Sequence, residues 1–255
     1  MDLPPNAFKR ALKAASAQIG LWSSLSSNYS VEVIAGAGFD WILLDSEHSP
    51  ADLENLLTQL QAAAAYPTHP VVRVAWNDMV TIKRVLDIGA QSLLVPYVSS
   101  AAEARSAVSY TRYPPAGVRG VALLTRGARL GSVNHAGVAA LNEDIVGIIQ
   151  IESPGALEVA DAIAAIDGVD CLFVGPADLS HSLGVPGQFG DARYQAALRR
   201  VVDACRAHGK AAGILLYDPA SFRPHLDLGF TFLGIGADIS FVNDGVRAAL
   251  AAARA

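Results

Sequence analysis

The stretch LLDSEHSP, residues 43 to 50, ends an apolar run on Asp45, Glu47 and His48. A histidine beside carboxylates can take up and return a proton, so His48 is a candidate general base. The simpler interpretation is a loop histidine that is hydrogen-bonded to its neighbours. Asp45 and Glu47 are interpreted as hydrogen-bonding supports, because adjacent side chains on an extended segment point in opposite directions.

An arginine occupies the next apolar run along the chain. Arg73 lies within VVRVAWND, where an unpaired guanidinium would cost free energy. Either a buried carboxylate partner or an anionic substrate would remove that cost. The residue types alone leave both possibilities open.

Two carboxylates follow later apolar runs, Glu152 in IIQIESPGAL and Asp178 in FVGPADLS. Two oxygen ligands from neighbouring strands suit a hard divalent ion that keeps several waters, such as Mg²⁺ or Mn²⁺. The alternatives are a charge at a helix N-terminus for Glu152 and a helix N-cap for Asp178. Spacing alone does not choose between these interpretations.

The lysines limit the possible chemistry. The chain has four, and none follows a strand: Lys9, Lys13, Lys83 and Lys210. A lyase that forms a Schiff base would lack a well-placed amine, which makes a metal ion the more plausible electron sink.

Eight short apolar runs, each followed by a helical pattern, must position these side chains. They are residues 18–22, 39–45, 70–76, 92–98, 145–152, 170–176, 211–217 and 230–236. Continuous apolar runs are typical of parallel strands that are buried on both faces. Eight such units in 255 residues predict an α/β fold, a closed (β/α)₈ TIM-type barrel in a single domain over 1–255, with an open doubly wound sheet as the weaker alternative.

In such a barrel the carboxyl ends of the strands share one mouth, where side chains are typically catalytic. His48, Arg73, Glu152 and Asp178 would meet there. Trp22 and Leu216 also end apolar runs, so they are expected to influence substrate choice, although core packing is an equal interpretation. The segment 113–144 interrupts the regular spacing, and long insertions of this kind are usually functional loops or partner contacts.

The composition excludes some partners. The net charge is −5, and the 19 lysines and arginines are scattered, which argues against a nucleic-acid partner. No segment resembles a signal peptide or a membrane span. Small-molecule substrates and a cytoplasmic location without a membrane partner are therefore expected, and Cys171 and Cys205 are expected to be unpaired thiols.

Taken in order, these segments carry a resemblance. DWILLDSEHSP, PVVRVAWND, LLVPYV, RYPPAGVRG, IIQIES and GVDCLFVGPADLS resemble the metal-dependent class II hydroxy-ketoacid aldolases, which act on pyruvate, over residues 16 to 240 approximately. EHSP alone is a weak motif, whereas the ordered set is specific.

The resemblance implies roles for particular residues. Glu152 and Asp178 would bind a divalent metal (Mg²⁺, Mn²⁺ or Co²⁺), His48 would be the catalytic base, Arg73 would bind pyruvate, and Asp87 would be the carboxylate paired with His48. The pyruvate pocket would include Gln150, Gly175, Pro176 and Ala177. The segment after RYPPAGVRGV differs in length from the family pattern, and Arg126 is the nearest candidate there to bind a distal carboxylate. The family also implies a last helix exchanged between subunits and a homo-oligomer, a hexamer made from dimers.

The implied activity is a carbon–carbon lyase reaction, the reversible cleavage of a 4-hydroxy-2-oxoacid to pyruvate and an aldehyde. Two alternatives remain. A lyase acting on a CoA thioester, or a transferase using the same enolate, would need basic residues at the mouth for the CoA phosphates. A non-catalytic metabolite-binding protein would not need the full set of candidate residues.

Overall fold

A computed structural model describes residues 6–255. Its eight parallel strands pair in chain order, and the eighth pairs with the first, so the sheet closes into a barrel. The strands are β1 Gln18–Ser23, β2 Trp41–Asp45, β3 His69–Arg73, β4 Ser92–Val95, β5 Val146–Ile151, β6 Cys171–Val174, β7 Ala211–Leu215 and β8 Phe232–Ala237. The predicted (β/α)₈ barrel is confirmed.

Helices surround the barrel: α1 Ala7–Lys13, α2 Asn28–Gly36, α3 Leu53–Ala63, α4 Met79–Asp87, α5 Ala101–Thr111, α6 Val138–Asp144, α7 Pro154–Glu158, α8 Ala160–Ala164, α9 Pro176–Ser182, α10 Ala192–Ala207, α11 Phe222–Leu228 and α12 Asp238–Arg254. Short 3₁₀ segments span Arg126–Gly131, His135–Gly137 and Pro219–Ser221. Several helices begin at a side-chain cap, as where Asp52 accepts a hydrogen bond from the Asn55 amide. These caps fix the residue at which each of those helices begins.

Alternating strand residues fill two apolar layers. On β2, Trp41 and Leu43 pack inside the barrel, and Ile42 and Leu44 pack outward against the helices. Because every position of β2 is buried, its sequence is a continuous apolar run up to Asp45. Gly20 leaves room for the interior tryptophan, since a Cβ there would lie 2.1 Å from the Trp41 ring.

Two strands end earlier than their apolar runs predict. β3 ends at Arg73 and β4 ends at Val95, although the runs continue to residues 76 and 98. After β4, Pro96 has no amide hydrogen to donate to the ladder, and Tyr97 adopts a left-handed backbone with φ 55°. Both strands therefore stop where the mouth begins.

Helix α1 covers the amino-terminal end of the barrel. Phe8 stacks on His69, with ring centroids 4.9 Å apart, and the Asn6 side chain donates a hydrogen bond to the Asp144 carbonyl at 3.0 Å. The His69 Nε2 lies 2.8 Å from the Ser92 hydroxyl. The end of the barrel away from the mouth is thus closed by packed side chains.

The segment 113–144 joins α5 to β5. Because a helix that follows a parallel strand runs back towards the amino-terminal end of the barrel, this segment lies at the opposite end from the mouth of its own chain. Its apolar side chains form a small separate cluster that includes Tyr113, Val133 and Leu141. The segment is therefore not a lid over the mouth of the same subunit.

Helix α12 presents much of its surface to solvent within one chain. Ile239, Val242, Val246 and Leu250 are exposed and recur at helical spacing. Within residues 6–255, no helix combines the length and the apolar character needed to cross a lipid bilayer.

Candidate active site

Strand β2 ends at Asp45, whose carboxylate organises the turn that carries His48. The amides of Glu47 and His48 donate to Asp45 Oδ1 at 3.0 and 3.4 Å. The Ser49 hydroxyl donates to the Asp45 carbonyl. The imidazole of His48 projects from this turn into the mouth, with 64% of its side chain exposed. The turn is thus ordered by backbone donors, and the imidazole stays accessible to a substrate.

Arg73, the last residue of β3, lies beside β2 in the ladder and pairs with two carboxylates. Its Nε and Nη2 donate to Asp45 Oδ1 and Oδ2 at 2.8 and 2.6 Å, and its Nη1 lies 2.9 Å from Glu47 Oε2. Arg73 therefore has buried carboxylate partners in the chain itself, and its predicted contact with an anionic substrate stays a prediction. Burial raises the pKa of the Asp45 carboxyl, but the hydrogen bonds and charge of Arg73 outweigh it and hold that pKa below its usual value.

Glu47 lies between the guanidinium and the imidazole. Its Oε2 is 3.9 Å from His48 Nε2. Burial raises the pKa of Glu47 to about 7, despite the lowering charge of Arg73. A carboxyl that titrates near neutrality beside a histidine can exchange protons with it.

Glu152 follows β5 and is held from two sides. The amide of Tyr97 donates to its Oε1 at 2.6 Å, and the Gln150 side-chain amide donates to its Oε2 at 2.6 Å. Burial raises the pKa of Glu152, and the charge of nearby Asp178 adds to the shift. Gly175 permits this packing, because a Cβ there would lie 3.0 Å from Glu152 Oε2.

The electrostatics of this cluster fit a cation. Within the described residues, Arg73 faces Asp45, Glu47 and Glu152, and Asp178 adds a further negative charge. The buried Gln150 Oε1 has no hydrogen-bond partner, so an acceptor is also available. Within residues 6–255 no group of three or more His, Cys, Asp or Glu side chains could hold a metal ion. If Glu152 and Asp178 bind the predicted ion, water or substrate oxygens would have to supply the other ligands.

A cavity of about 120 Å³ opens among these side chains at the mouth. Its walls bring together many of the predicted site residues: Trp22, His48, Arg73, Gln150, Gly175, Pro176, Ala177 and Asp178. The indole of Trp22 lies over the Arg73 guanidinium at 5.1 Å. The cavity is of a size for a small substrate fragment.

Comparisons with known proteins agree with this architecture. Residues 18–244 match the HpcH/HpaI aldolase/citrate lyase family. This chain belongs to that family. Among its relatives, a protein named pyruvate aldolase from Rhizobium etli is 49% identical over 97% of each chain. A protein named 4-hydroxy-2-oxo-heptane-1,7-dioate aldolase from Salmonella heidelberg is 47% identical over 95% of this chain and 92% of its own.

A solved structure of a family protein from Burkholderia cenocepacia J2315 superposes with a TM-score of 0.93 at 38% identity, covering 98% of this chain and 100% of the other. The predicted membership of the aldolase family is confirmed. So is the predicted enzyme class, a carbon–carbon lyase of the aldolase type.

Two candidate residues do not reach the mouth of their own chain. Asp87 ends α4 and pairs with Arg119 at 2.8 Å, and the Arg126 Nη1 donates to the Ile88 carbonyl next to it at 3.0 Å. The expected contacts of Asp87 with His48 and of Arg126 with substrate are therefore not made within one chain. The reason is that α4 runs back from the mouth, so its end lies at the amino-terminal end of the barrel.

Leu216 lies outside the first cavity, and its predicted influence on substrate choice stays a prediction. It is buried and lines a second cavity next to the first. Sequence reasoning overlooked Phe173 and Leu215, which line the first cavity, and Tyr97, whose amide holds Glu152. No sequence signal identified Tyr97, because a left-handed tyrosine after a proline cannot be recognised from residue types.

Proposed function

We propose that the protein catalyses the reversible aldol cleavage of 4-hydroxy-2-oxoacids to pyruvate and an aldehyde, with a divalent metal ion held by Glu152 and Asp178. The observation that carries the proposal is the joint presence of His48, Arg73, Gln150 and Asp178 around one mouth cavity. The printed names of the relatives, pyruvate aldolase and 4-hydroxy-2-oxo-heptane-1,7-dioate aldolase, support the same reaction.

His48 would act as the base for the C4 hydroxyl of the substrate. Its exposed imidazole stands at the cavity edge, and loss of the hydroxyl proton starts cleavage of the C3–C4 bond. In the reverse direction the imidazolium returns that proton. Glu47, 3.9 Å from the imidazole and with a pKa raised to about 7, would serve as a nearby proton reservoir.

Arg73 would orient the oxoacid and stabilise negative charge as the bond breaks. Its two ion pairs hold the guanidinium in place, so little reorganisation is needed at the moment of reaction. Gln150 would contribute its unpaired Oε1 and orient Glu152 through its amide.

The metal ion would be held by Glu152 and Asp178, and Mg²⁺, Mn²⁺ and Co²⁺ are the candidates. A bound divalent cation supplies Lewis-acid stabilisation of the developing enolate. The excess of buried carboxylates is consistent with a cation at this position. Burial raises the pKa of Glu152, so metal binding would compete with protonation of that carboxyl.

We also infer a homo-oligomer in which α12 packs against a neighbouring subunit, as in the predicted exchange of the last helix and assembly as a hexamer made from dimers. The support is the exposed apolar stripe of α12. In such an assembly Asp87 and Arg126, which lie at the amino-terminal end of one barrel, could contact a neighbouring subunit. The expected cytoplasmic location stays a prediction.

The testing experiment is proton–deuterium exchange of the pyruvate methyl group, followed by NMR on metal-stripped protein with and without Mg²⁺, Mn²⁺ or Co²⁺. Exchange only in the presence of metal is expected for an enolising site. A protein that binds pyruvate without exchanging its methyl protons would support the metabolite-binding alternative. Exchange with pyruvate but no cleavage of any 4-hydroxy-2-oxoacid would favour the enolate transferase.

A further inference from the structure

A second cavity lies beside the candidate active site and is larger than it. Its volume is about 380 Å³, against about 120 Å³ for the first cavity. Its walls come from the end of β7, from Phe189 before α10, from Tyr194 on α10 and from His225 on α11. The cleavage chemistry described above involves none of these side chains.

The two cavities adjoin each other. Pro176, Leu215 and Tyr217 line both of them. Tyr217 is 57% exposed, and its ring lies against that of Phe189 with centroids 5.7 Å apart. Phe189 in turn packs on Tyr194 at 5.4 Å. A row of three aromatic rings thus leads away from the mouth along the wall of the second cavity.

Three polar groups in the wall of the second cavity are already hydrogen-bonded within the chain. The Ser221 hydroxyl donates to the Asp218 carbonyl at 2.6 Å, and the His225 Nδ1 lies 2.8 Å from the Ser221 carbonyl. Asp218 Oδ1 accepts from the Ala220 amide at 2.9 Å. Ligand atoms entering this cavity would therefore meet mainly apolar surface.

The charge of the lining disfavours an anionic ligand. Asp218 is the charged side chain in the wall, and among residues 6–255 the lining includes neither lysine nor arginine. A carboxylate placed there would lose hydration without gaining a lysine or arginine partner, and the Nδ1 of His225 is already held by the Ser221 carbonyl. An apolar group would instead gain the free energy of leaving water.

We propose that this second cavity, lined by Phe189, Tyr194, Leu216 and Tyr217, binds the carbon chain of the aldehyde and selects uncharged, apolar aldehydes. The inference rests on the proposed function, because it assigns pyruvate to the first cavity and the substituent at C4 to the second. It separates this chain from the relative whose printed name specifies a dioate, a substrate with a second carboxylate.

The first test is the aldol addition of pyruvate to pentanal, 3-phenylpropanal and succinate semialdehyde, with kcat/KM measured for each. The two apolar aldehydes are expected to exceed the carboxylated one by about tenfold or more, since one methylene in an apolar pocket is worth about 10-fold to 200-fold. Equal values, or a preference for succinate semialdehyde, would overturn the inference.

The second test fills the cavity. In Phe189→Trp, the ratio of kcat/KM for 3-phenylpropanal to that for acetaldehyde is expected to fall by about tenfold. Tyr29→Trp, at an exposed aromatic on α2, is the matched control and is expected to keep the wild-type ratio. An unchanged ratio in Phe189→Trp would contradict the assignment. If that variant does not fold, Ser221→Leu enlarges another side chain of the lining and is judged by the same ratio.

Pyruvate methyl exchange on the same wild-type sample distinguishes a failure of the aldehyde-site assignment from a failure of the proposed function. Exchange together with no preference among aldehydes refutes the second cavity as the aldehyde site and leaves the enolising site standing. Absence of exchange and of cleavage refutes the proposed function itself.

Discussion

The paired side chains Asp45 and Arg73 show how one contact can serve both stability and chemistry. Each is buried, and the two hydrogen bonds between them satisfy the guanidinium fork. Removing Arg73 would leave the buried Asp45 carboxylate without its cationic partner, and breaking a buried pair in this way typically costs about 3–5 kcal/mol. The neighbouring His48 carries no such structural role, so it is the better probe of mechanism.

Replacing His48 with alanine is expected to lower kcat for cleavage by about 10²–10⁴, the usual contribution of a positioned base. Binding of pyruvate, measured by calorimetry in the presence of metal, should persist because Arg73 and Gln150 remain. His208→Ala is the control, since His208 pairs with Asp161 on the surface at 2.9 Å. Unchanged kcat in His48→Ala would remove His48 from the mechanism.

Glu152→Gln is expected to lose both tightly bound metal and cleavage activity, because it removes one of two anionic ligands while keeping the side-chain shape. Metal content is measured by elemental analysis after gel filtration. Glu158→Gln, at an exposed position of α7, should retain both properties. A Glu152→Gln protein with a full equivalent of metal and wild-type turnover would contradict the metal assignment.

Single elements set where these residues stand. Each strand ends at the mouth, and the helix after it carries the chain to the other end, where α1 and His69 close the barrel. Because β3 presents His69 at one end and Arg73 at the other, one five-residue strand links the closed end to the active site. Packing around His69 therefore contributes to the stability of the whole barrel.

Burial lowers the pKa of His69 to about 4, from 6.5. A histidine whose pKa is depressed in the folded state contributes stability above pH 6.5 that is lost as the pH falls towards 4, because the unfolded chain binds the proton first. The free energy of unfolding should fall by up to about 3 kcal/mol over that range relative to His69→Phe, at about 1.36 kcal/mol per pH unit.

Denaturant unfolding at several pH values measures this difference. His69→Phe keeps the ring against Phe8 but cannot titrate, so it serves as the reference, and His225→Phe controls for a histidine that is not part of the closed end. A difference between wild type and His69→Phe that stays constant from pH 6.5 to 4 would show that His69 keeps its ordinary pKa.

At the scale of the whole molecule, the exposed surface of α12 bears on whether the protein forms an oligomer. Exposed apolar side chains in a stripe on α12 are more consistent with contact to another copy than with permanent exposure to water. That the chain forms a single domain over 1–255 also stays a prediction.

Val246→Asp is expected to shift the protein to a smaller species in sedimentation velocity, because a charge in the centre of the apolar stripe would be desolvated in an interface. Ala248→Asp lies on the opposite side of α12, is equally exposed, and should leave the assembly unchanged. A Val246→Asp protein with wild-type mass would refute an interface through this stripe.

The sequence by itself determined the barrel, because eight continuous apolar runs alternating with helical patterns leave few other ways to bury both faces of each strand. It also determined that His48, Arg73 and Asp178 line one mouth, since residues at strand ends converge there. Local patterns suffice for both conclusions.

The tertiary structure decided which groups of the chain pair with one another. Asp45 became the partner of Arg73 through the register of two strands, Asp87 paired with Arg119 at the far end of the barrel, and Tyr97 offered its amide to Glu152. The second cavity likewise forms from segments that are distant in the chain. Such contacts depend on strand register and on the direction in which each helix returns, and neither can be deduced from residue types at a single position.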